Sequence, residues 1–466
     1  MVASRHKRAI VIGAGIGGLA AAAALAGHFD DVIIIERDAI PAGAAARPGT
    51  PQSNHPHGLL VGGQRALCEL FPGIDQDLAN AGAVPLRGGI DIREELPGFD
   101  PCFPHRDLGW VGYAMSRPLI ELVVRRRVSG LPNVELRDRC RVIAIEAATD
   151  GSVGGVRCET TVGIAMTLQA DLVIDASGRG TPALDFLKAT GRPQPEQTSI
   201  GVDINYATTT FAVPKGERDW QLVITFPEMP ESTRAGYLMP MEGDRWMVLV
   251  SERHGEPSST DLKDFLDLVR RLRTPTIFDA IKNAKPLDRI HRFGFPESSW
   301  RHYERLVNPP RGLLVLGDAM CRFNPVYGQG MTIAAQEASL LKGLLQESIA
   351  AKDTLDGLER AFFIRAQPLI AAAWSLSATP DFIDPRTRGE PPADLEDSLR
   401  FRAGLMRLAA ADSDVHKLFV GVRNLIEPAS KLHDPDLVRR IQAEMADAQR
   451  LRKNGTANVR PETAKN

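Results

Sequence analysis

A glycine-rich turn near the start of the chain has the spacing of a phosphate-binding site. Gly13, Gly15 and Gly18 lie between a β-branched run, which predicts a strand, and an alanine-rich run, which predicts a helix. In such a turn the first glycine allows a tight bend, the second lets the backbone approach a pyrophosphate, and the third lets the helix pack closely on the strand. The phosphates would lie at the positive end of the helix. The spacing therefore predicts a dinucleotide site that fits either FAD or NAD.

A carboxylate at the end of the next apolar run supports this prediction. Glu36 ends residues 32–36, whose sequence Val-Ile-Ile-Ile-Glu is typical of a buried strand. At that place an acid can accept hydrogen bonds from ribose hydroxyls, which favours FAD or NAD over a cofactor with a 2′-phosphate. The alternative is a glycine-rich turn without a ligand, and the combination of two strands with an acid disfavours it.

The elements that must position these residues change in kind along the chain. Apolar runs such as residues 172–176 and 312–316 predict a parallel sheet with helices on both faces. Residues 200–295 instead contain alternating strands and turns, which predict an inserted antiparallel sheet. Beyond residue 335 the pattern is helical. The predicted fold class is α/β, with a Rossmann-like nucleotide-binding domain, an inserted antiparallel sheet and a C-terminal helical region.

Three further segments follow in order along the chain and identify a family. They are Asp175-Ala176-Ser177-Gly178-Arg179-Gly180, Leu316-Gly317-Asp318-Ala319 and Asn324-Pro325-Val326-Tyr327-Gly328-Gln329-Gly330-Met331. Together with the glycine turn and Glu36-Arg37, they resemble the flavoprotein monooxygenase family typified by para-hydroxybenzoate hydroxylase and squalene epoxidase. The resemblance spans about residues 8 to 345. It implies that the dinucleotide is FAD and that the chain is an FAD-dependent monooxygenase.

The resemblance also implies roles for individual residues. Asp318 would bind the flavin ribityl and pyrophosphate, residues 325–331 would approach the isoalloxazine, and Arg47 and Arg117 would contact the cofactor, with a surface salt bridge as the alternative for each arginine. A glycine loop that opens a helix can also present backbone N–H groups to a reduced flavin. The predicted cofactor-binding residues are Gly13, Gly15, Gly18, Glu36, Arg37, Arg47, Arg117, Asp318, Pro325, Gly328, Gly330 and Met331.

Domain boundaries follow from the same resemblance and the change in strand pattern. The predicted FAD-binding domain consists of residues 1–80, 105–195 and 290–345, and the predicted substrate-binding sheet domain of residues 81–104 and 196–289. A helical region is predicted for residues 346–453 and a flexible tail for residues 454–466.

The loop of residues 51–60 contains two histidines, His55 and His57, and is similar to a stretch found in bacterial polyether-type polyene epoxidases. Because the two residues alternate, only one of them can easily face a shared site if the backbone is extended. A metal would require more ligands than this pair, and no metal is predicted. Packing beside the flavin or capping of the loop is favoured over acid–base catalysis, for which these histidines are the candidates.

The implied reaction needs no catalytic side chain beyond the flavin. FAD would be reduced by NAD(P)H or by a flavin or ferredoxin reductase, and a flavin C4a-hydroperoxide would transfer one oxygen of O2 to a small apolar organic substrate. The histidine loop favours alkene epoxidation. The alternatives are an aromatic, phenol-type hydroxylase and a non-oxygenating FAD reductase of prenyl-type lipids. Asp175-Ala176 replaces the Asp-Gly of hydroxylases, which leaves direct use of the nicotinamide open.

Composition bears on partners and location. The 466 residues carry a formal net charge of −2, which gives no reason to expect nucleic acid or an anionic membrane as a partner. Residues 9–26 are uncharged and mimic a membrane span, but their strand–turn–helix order argues against an integral membrane segment. Five scattered cysteines predict neither a disulfide framework nor a zinc site, and favour a cytoplasmic protein.

Overall fold

The structure is a computed structural model that describes residues 6–255, 260–350 and 355–453, so the predicted tail of residues 454–466 lies outside the described residues. The elements of the first third are β1 His6–Ile12, α1 Ile16–Ala26, β2 Phe29–Ile35, α2 Val61–Leu70, α3 Ile74–Asn80, β3 Val84–Arg87, β4 Ile92–Glu95, β5 Val111–Ala114, α4 Arg117–Ser129, β6 Val134–Arg137 and β7 Cys140–Ala147.

The middle of the chain is mostly strand. Its elements are β8 Val153–Thr160, β9 Ala165–Gln169, β10 Leu172–Asp175, α5 Pro182–Ala189, β11 Gln197–Ala212, β12 Leu222–Thr225, β13 Ala235–Met241, β14 Arg245–Arg253, α6 Leu262–Arg270, α7 Thr276–Ile281, β15 His291–Arg301, β16 Leu313–Val315 and β17 Cys321–Arg322. Helices follow, namely α8 Gly330–Ala350, α9 Leu358–Asp381, α10 Leu395–Ala411, α11 Ser413–Arg423 and α12 Pro435–Lys453.

A five-stranded parallel sheet forms the nucleotide-binding domain, in the order β16-β10-β1-β2-β6. Its central strands are continuous apolar runs because helices cover both faces. Helices α1 and α8 approach closely at Gly17, where a Cβ atom would lie 3.4 Å from the Ala334 side chain of α8. The carboxyl ends of β1, β10 and β16 meet at one edge of the sheet, where ligands bind in open α/β folds.

A seven-stranded sheet, in the order β17-β15-β11-β14-β13-β12-β4, forms the second layer and is antiparallel except for the β12–β4 pair. One face, which includes Phe211 and Val248, packs against α6 and α7. Paired residues of neighbouring strands share a face, so the register places Thr208, Leu249 and Tyr237 together on the opposite face. Strand β15 belongs to this sheet, although the sequence analysis assigns residues 290–345 to the FAD-binding domain. The domain boundaries themselves remain a prediction.

The C-terminal helices pack against both domains. Side chains of α10, α11 and α12 form one apolar cluster with the segment after β4, and Ala378 of α9 packs against Ile204 of the seven-stranded sheet. Two smaller antiparallel sheets, β3-β5 and β7-β8-β9, complete the fold. The predicted α/β class, with its inserted antiparallel sheet and helical C-terminal region, is confirmed. Within the ranges that the structure describes, every helix is too short or too polar to cross a bilayer.

Candidate cofactor and substrate site

The glycine turn has two glycines that the fold itself requires and one that faces open space. Gly13 has a φ of +101°, and a Cβ atom on Gly18 would lie 1.9 Å from the carbonyl oxygen of Gly13. A Cβ atom on Gly15 would meet no atom within 4 Å. Gly15 precedes α1, whose first-turn N–H groups have no acceptor within the helix. The space at Gly15 therefore fits the pyrophosphate that the sequence pattern predicts.

Glu36 lies directly beneath this turn and is fixed in place. Its Oε2 accepts a hydrogen bond from the Ala14 backbone N at 2.9 Å, and its Oε1 accepts one from the Asp38 backbone N at 3.0 Å. Arg47 Nη1 lies 3.1 Å from Glu36 Oε2 and 2.9 Å from Asp38 Oδ2. Arg37, by contrast, is exposed and has no ion-pair partner among the described residues.

One buried carboxylate joins the two predicted arginines. Arg47 Nε donates to Glu121 Oε1 at 2.8 Å, and Arg117 Nη1 donates to Glu121 Oε2 at 2.9 Å. Burial raises the pKa of Glu121, but the two guanidinium groups hold it below its usual value. The surface salt bridge weighed for each arginine is wrong, because both side chains are buried. Sequence reasoning missed Glu121, although its i,i+4 spacing from Arg117 on a predicted helix was the available signal.

Asp318 follows β16 at the same edge of the parallel sheet as the glycine turn. Its side chain is exposed to the space at this edge, which is called the cleft below. The surrounding protein nevertheless raises the pKa of its carboxyl by desolvation, against the opposing effect of Arg322, Arg117 and Arg179. A Cβ atom on Gly330 would lie 3.6 Å from Asp318 Oδ1. The structure therefore brings Asp318 and the start of α8 together, and an accessible carboxylate in a cleft fits the polyol of a flavin.

A second acid, which the sequence did not single out, supports the turn before Asp318. Glu337 of α8 is fully buried, and its Oε2 accepts a hydrogen bond from the Gly317 backbone N at 2.7 Å. Its Oε1 is buried and has no hydrogen-bond partner within the part of the chain that the structure describes. Burial is the main cause that raises the pKa of Glu337 to about 8. The turn that presents Asp318 therefore rests on a carboxyl that is mostly protonated at neutral pH.

Residues 324–331, the glycine loop, are held from behind by α9. Asn324 Nδ2 donates to both carboxylate oxygens of Asp381 at 3.0 and 3.1 Å, and the Tyr327 hydroxyl donates to Asp381 Oδ1 at 2.9 Å. Asp381 also pairs with Arg253 of β14 at 2.6 Å. Gly328 adopts a φ of +67°, and Pro325 is exposed. The loop is thereby fixed between the helical region and the seven-stranded sheet.

His55 and His57 make different contacts. His55 Nδ1 lies 2.8 Å from Thr208 Oγ1, and its ring packs between Tyr206 and Phe293. His57 Nδ1 lies 2.8 Å from the His55 carbonyl oxygen. Burial lowers the pKa of His55 to about 3 and that of His57 to about 4, so both rings are neutral at neutral pH. These contacts join the loop to the sheet. Among the described residues, no group of three or more His, Cys, Asp or Glu could hold a metal ion.

Two family models match the chain. One, described as an NAD(P)-binding Rossmann-like domain, matches residues 11–61, and the other, described as an FAD binding domain, matches residues 113–361. The second spans more than half of the chain. This chain belongs to the FAD-binding family of flavoprotein monooxygenases. Family membership makes it an FAD-dependent monooxygenase and confirms FAD as the cofactor.

Individual relatives agree with the family. Protein Rv3254 of Mycobacterium tuberculosis (strain ATCC 25618 / H37Rv) is 31% identical over 84% of this chain and 83% of its own length. Kynurenine 3-monooxygenase of Salinispora arenicola is 25% identical over 72% of each chain, and squalene monooxygenase 1,1 of Brassica napus is 24% identical over 79% of this chain and 68% of its own. The solved structure of flavin-dependent brominase Bmp2 covers 96% of this chain and 100% of its own at 14% identity, with a TM-score of 0.65, which shows a shared fold.

Proposed function

We propose that this monooxygenase epoxidises an alkene in a small, largely apolar substrate. Per turnover, one oxygen atom of O2 would enter the carbon–carbon double bond and the other would leave as water. NAD(P)H, used directly or through a reductase, would supply the two electrons and, together with one proton, balance the equation. The observation that carries the proposal is that four titratable side chains of the histidine loop, the seven-stranded sheet and the glycine loop, namely His55, His57, Tyr237 and Tyr327, are held in their uncharged forms.

The residues named above would hold the cofactor at the edge of the parallel sheet. The glycine turn and the start of α1 would bind the pyrophosphate, Glu36 a ribose, and Asp318 the ribityl chain. Arg47 and Arg117 would act through Glu121, which fixes their guanidinium groups. Pro325, Gly328, Gly330 and Met331 would lie beside the isoalloxazine. Bound FAD supplies the O2 activation and the oxygen transfer, which no side chain can perform.

The substrate would bind to the face of the seven-stranded sheet that carries Thr208, Leu249 and Tyr237. Tyr237 pairs with Leu249, and Met239 pairs with Met247, so aromatic and aliphatic groups share that face. Such a surface excludes water from the reacting centre, which favours oxygen transfer over unproductive release of the activated oxygen. The histidine loop adjoins this face at Thr208. Its contacts support a packing role for both imidazoles.

The protonation states favour epoxidation over phenol hydroxylation. Activation of a phenol requires a base that accepts its proton, whereas epoxidation removes no proton from the alkene. His55 and His57, with pKa values of about 3 and 4, are weak bases. Burial raises the pKa of Tyr237 and of Tyr327, so that their hydroxyls stay protonated. These four side chains suit an electron-rich alkene better than a phenol.

An isotope experiment tests the reaction type. Purified holoenzyme, supplied with NAD(P)H and 18O2, is incubated with a panel of polyenes and with phenols of matched size. We expect an epoxide that contains one 18O atom. Label found only in a phenolic product would identify a hydroxylase, and a saturated product without label would identify a reductase of prenyl-type lipids. Either result would contradict the proposed epoxidation.

Asp318→Ala tests the assignment of the cofactor site. We expect this variant to fold but to lose bound FAD, measured as flavin released per polypeptide after denaturation. The matched control is Asp264→Ala, because Asp264 is an exposed carboxylate on α6. Full flavin occupancy of Asp318→Ala at micromolar FAD would refute the role of Asp318.

A further inference from the structure

Arg402 of α10 is a charged side chain for which the fold provides no partner. It is half-buried, and among the described residues it makes no hydrogen bond or ion pair. Two residues later, Gly404 faces α12, since a Cβ atom there would lie 2.7 Å from Met445 and 2.9 Å from Ile441. Because two residues correspond to slightly more than half a helical turn, Arg402 lies on the side of α10 opposite α12.

The charges around Arg402 place it beside the substrate side of the cleft. Burial is the main cause that lowers the pKa of the Arg402 guanidinium; Arg423 lowers it further, while Tyr327 and Glu94 raise it. Tyr327 belongs to the glycine loop. Glu94 pairs with Ile224, which in turn pairs with Tyr237, so that Glu94 lies on the sheet face assigned to the substrate. Arg402 thus lies where helix α10, the glycine loop and this sheet face converge.

The neighbouring arginine is already neutralised, and Arg402 is not. Arg423 Nη1 donates to Glu94 Oε2 at 2.8 Å, and Arg423 Nη2 donates to Glu94 Oε1 at 3.1 Å. The pair with Arg423 occupies both oxygens of Glu94, the carboxylate that acts on Arg402. Among the described residues, Arg402 is therefore left without a counterion of its own. Withdrawing an unpaired charge from water is costly, and such a charge is normally matched by a ligand or a partner.

We infer that Arg402 binds a carboxylate of the substrate and so anchors an otherwise apolar molecule against the glycine loop. The inference rests on the proposed function, because it uses the same cleft and the same sheet face. The planar guanidinium presents paired donors that match a carboxylate in a bidentate arrangement. The substrate class is thereby narrowed to unsaturated carboxylic acids, with the acid at Arg402 and the double bond at the flavin.

Binding to the oxidised holoenzyme tests this inference without turnover. Naphthalene-2-carboxylate and its neutral match, naphthalene-2-carboxamide, are titrated while the visible flavin spectrum reports occupancy of the cleft. We expect the wild-type enzyme to prefer the carboxylate. Arg402→Gln should weaken carboxylate binding roughly 10- to 100-fold and leave amide binding nearly unchanged, since a charge-assisted hydrogen bond contributes about that much. Arg402→Lys should recover part of the loss.

The matched control is Arg400→Gln, because Arg400 lies on the same helix, is exposed and pairs with Asp397. It should bind both probes as the wild type does. Equal carboxylate binding by Arg402→Gln and Arg400→Gln would overturn the inference, as would a flavin-loaded wild-type enzyme that shows no preference for the carboxylate. Either of these outcomes would leave the proposed function intact if the enzyme still transfers 18O to an alkene. A purified protein without flavin would instead contradict the proposed function.

Discussion

The two sides of the cleft are built in different ways. On the proposed cofactor side, Gly15 of the glycine turn faces open space and Gly330 of the glycine loop faces Asp318, while side chains such as Glu36 lie behind the turn. On the proposed substrate side, single side chains from separate elements contribute, namely Glu94 from β4, Tyr237 from β13 and Arg402 from α10. A backbone-built surface depends on local turn geometry, whereas a side-chain-built surface depends on how distant elements pack.

This difference explains which functional features a family shares. A turn that must pass close to a phosphate restricts the residue type at fixed positions, so that the pattern persists wherever the cofactor does. A side chain such as Arg402 can change without any effect on the turn, and with it the ligand can change. The cofactor side therefore identifies the family, and on our proposal the substrate side would determine what this member oxidises.

The largest effect is expected from a pair of substitutions within the glycine turn. Gly18→Ala places a Cβ atom 1.9 Å from the Gly13 carbonyl oxygen, and should cost more than about 4 kcal/mol of unfolding free energy because backbone atoms cannot yield. Gly15→Ala meets no protein atom, so it should change the unfolding free energy by less than about 1 kcal/mol. It should nevertheless weaken FAD binding roughly 10-fold or more, because the methyl group enters the pyrophosphate space.

Chemical unfolding and flavin titration of both variants check this pair. Gly15→Ala serves as the internal control for Gly18→Ala, since the two changes are chemically identical. An apoprotein of Gly15→Ala that binds FAD as tightly as the wild type would show that the space at Gly15 is not the pyrophosphate site. The backbone-built description of the cofactor side would then be wrong.

The same division decides how much could be predicted from the sequence. Gly13, Gly15 and Gly18 were predictable because strand, turn and helix follow one another within a few residues. The contact between Asn324 and Asp381 was not, because 57 residues separate the two and no local pattern marks Asp381. Strands β8 and β9 escaped prediction as well, since two glycines and many exposed residues obscure their alternation. Long-range pairing is a property of packing and leaves no signal in a short window.

The next largest effect is expected at Asp381, which joins the two sides. Its carboxylate accepts hydrogen bonds from Arg253 of the sheet and from Asn324 and Tyr327 of the glycine loop. Asp381→Asn leaves the buried charge of Arg253 unpaired and should cost about 3–5 kcal/mol of unfolding free energy. Flavin should also dissociate faster, because the loop loses its support. Asp397→Asn, at an exposed position of α10, is the control and should have no such effect.

Urea unfolding and the rate of flavin release report the two consequences separately. A variant that is destabilised but keeps its flavin release rate would show that Asp381 supports the packing of α9 only. The link between the helical region and the glycine loop would then have no bearing on the cofactor.

A smaller effect is expected behind the glycine turn, at Glu121. Glu121→Gln removes the charge that holds Arg47 and Arg117, and should cost about 2 kcal/mol because two charge-assisted hydrogen bonds are weakened. If these arginines act through Glu121, FAD affinity should fall with stability. Glu135→Gln, which changes an exposed carboxylate paired with Arg137, is the matched control. FAD affinity that stays constant while stability falls would show that the network only packs the domain.

A pH dependence of the unfolding free energy is expected from Glu337. Because burial raises its pKa from 4.5 to about 8, the folded protein binds the Glu337 proton more tightly than the unfolded chain does. The stabilisation is fully present below pH 4.5 and is lost as the pH rises to about 8, at up to about 1.4 kcal/mol per pH unit. Glu337→Gln removes this pH-dependent stabilisation. The unfolding free energy of the variant relative to the wild type should therefore rise between pH 5 and 8, with the slope expected for a difference of about one bound proton.

Urea unfolding of the holoenzyme across this pH range measures the difference. Glu347→Gln, an exposed position on the same helix, is the control and should track the wild type. A Glu337→Gln curve parallel to the wild type would mean that Glu337 is already ionised in the folded protein, with a counter-charge from a bound cation. In that event the turn before Asp318 would be held by a charged acceptor, and the cofactor side would depend on side-chain charge as the substrate side does.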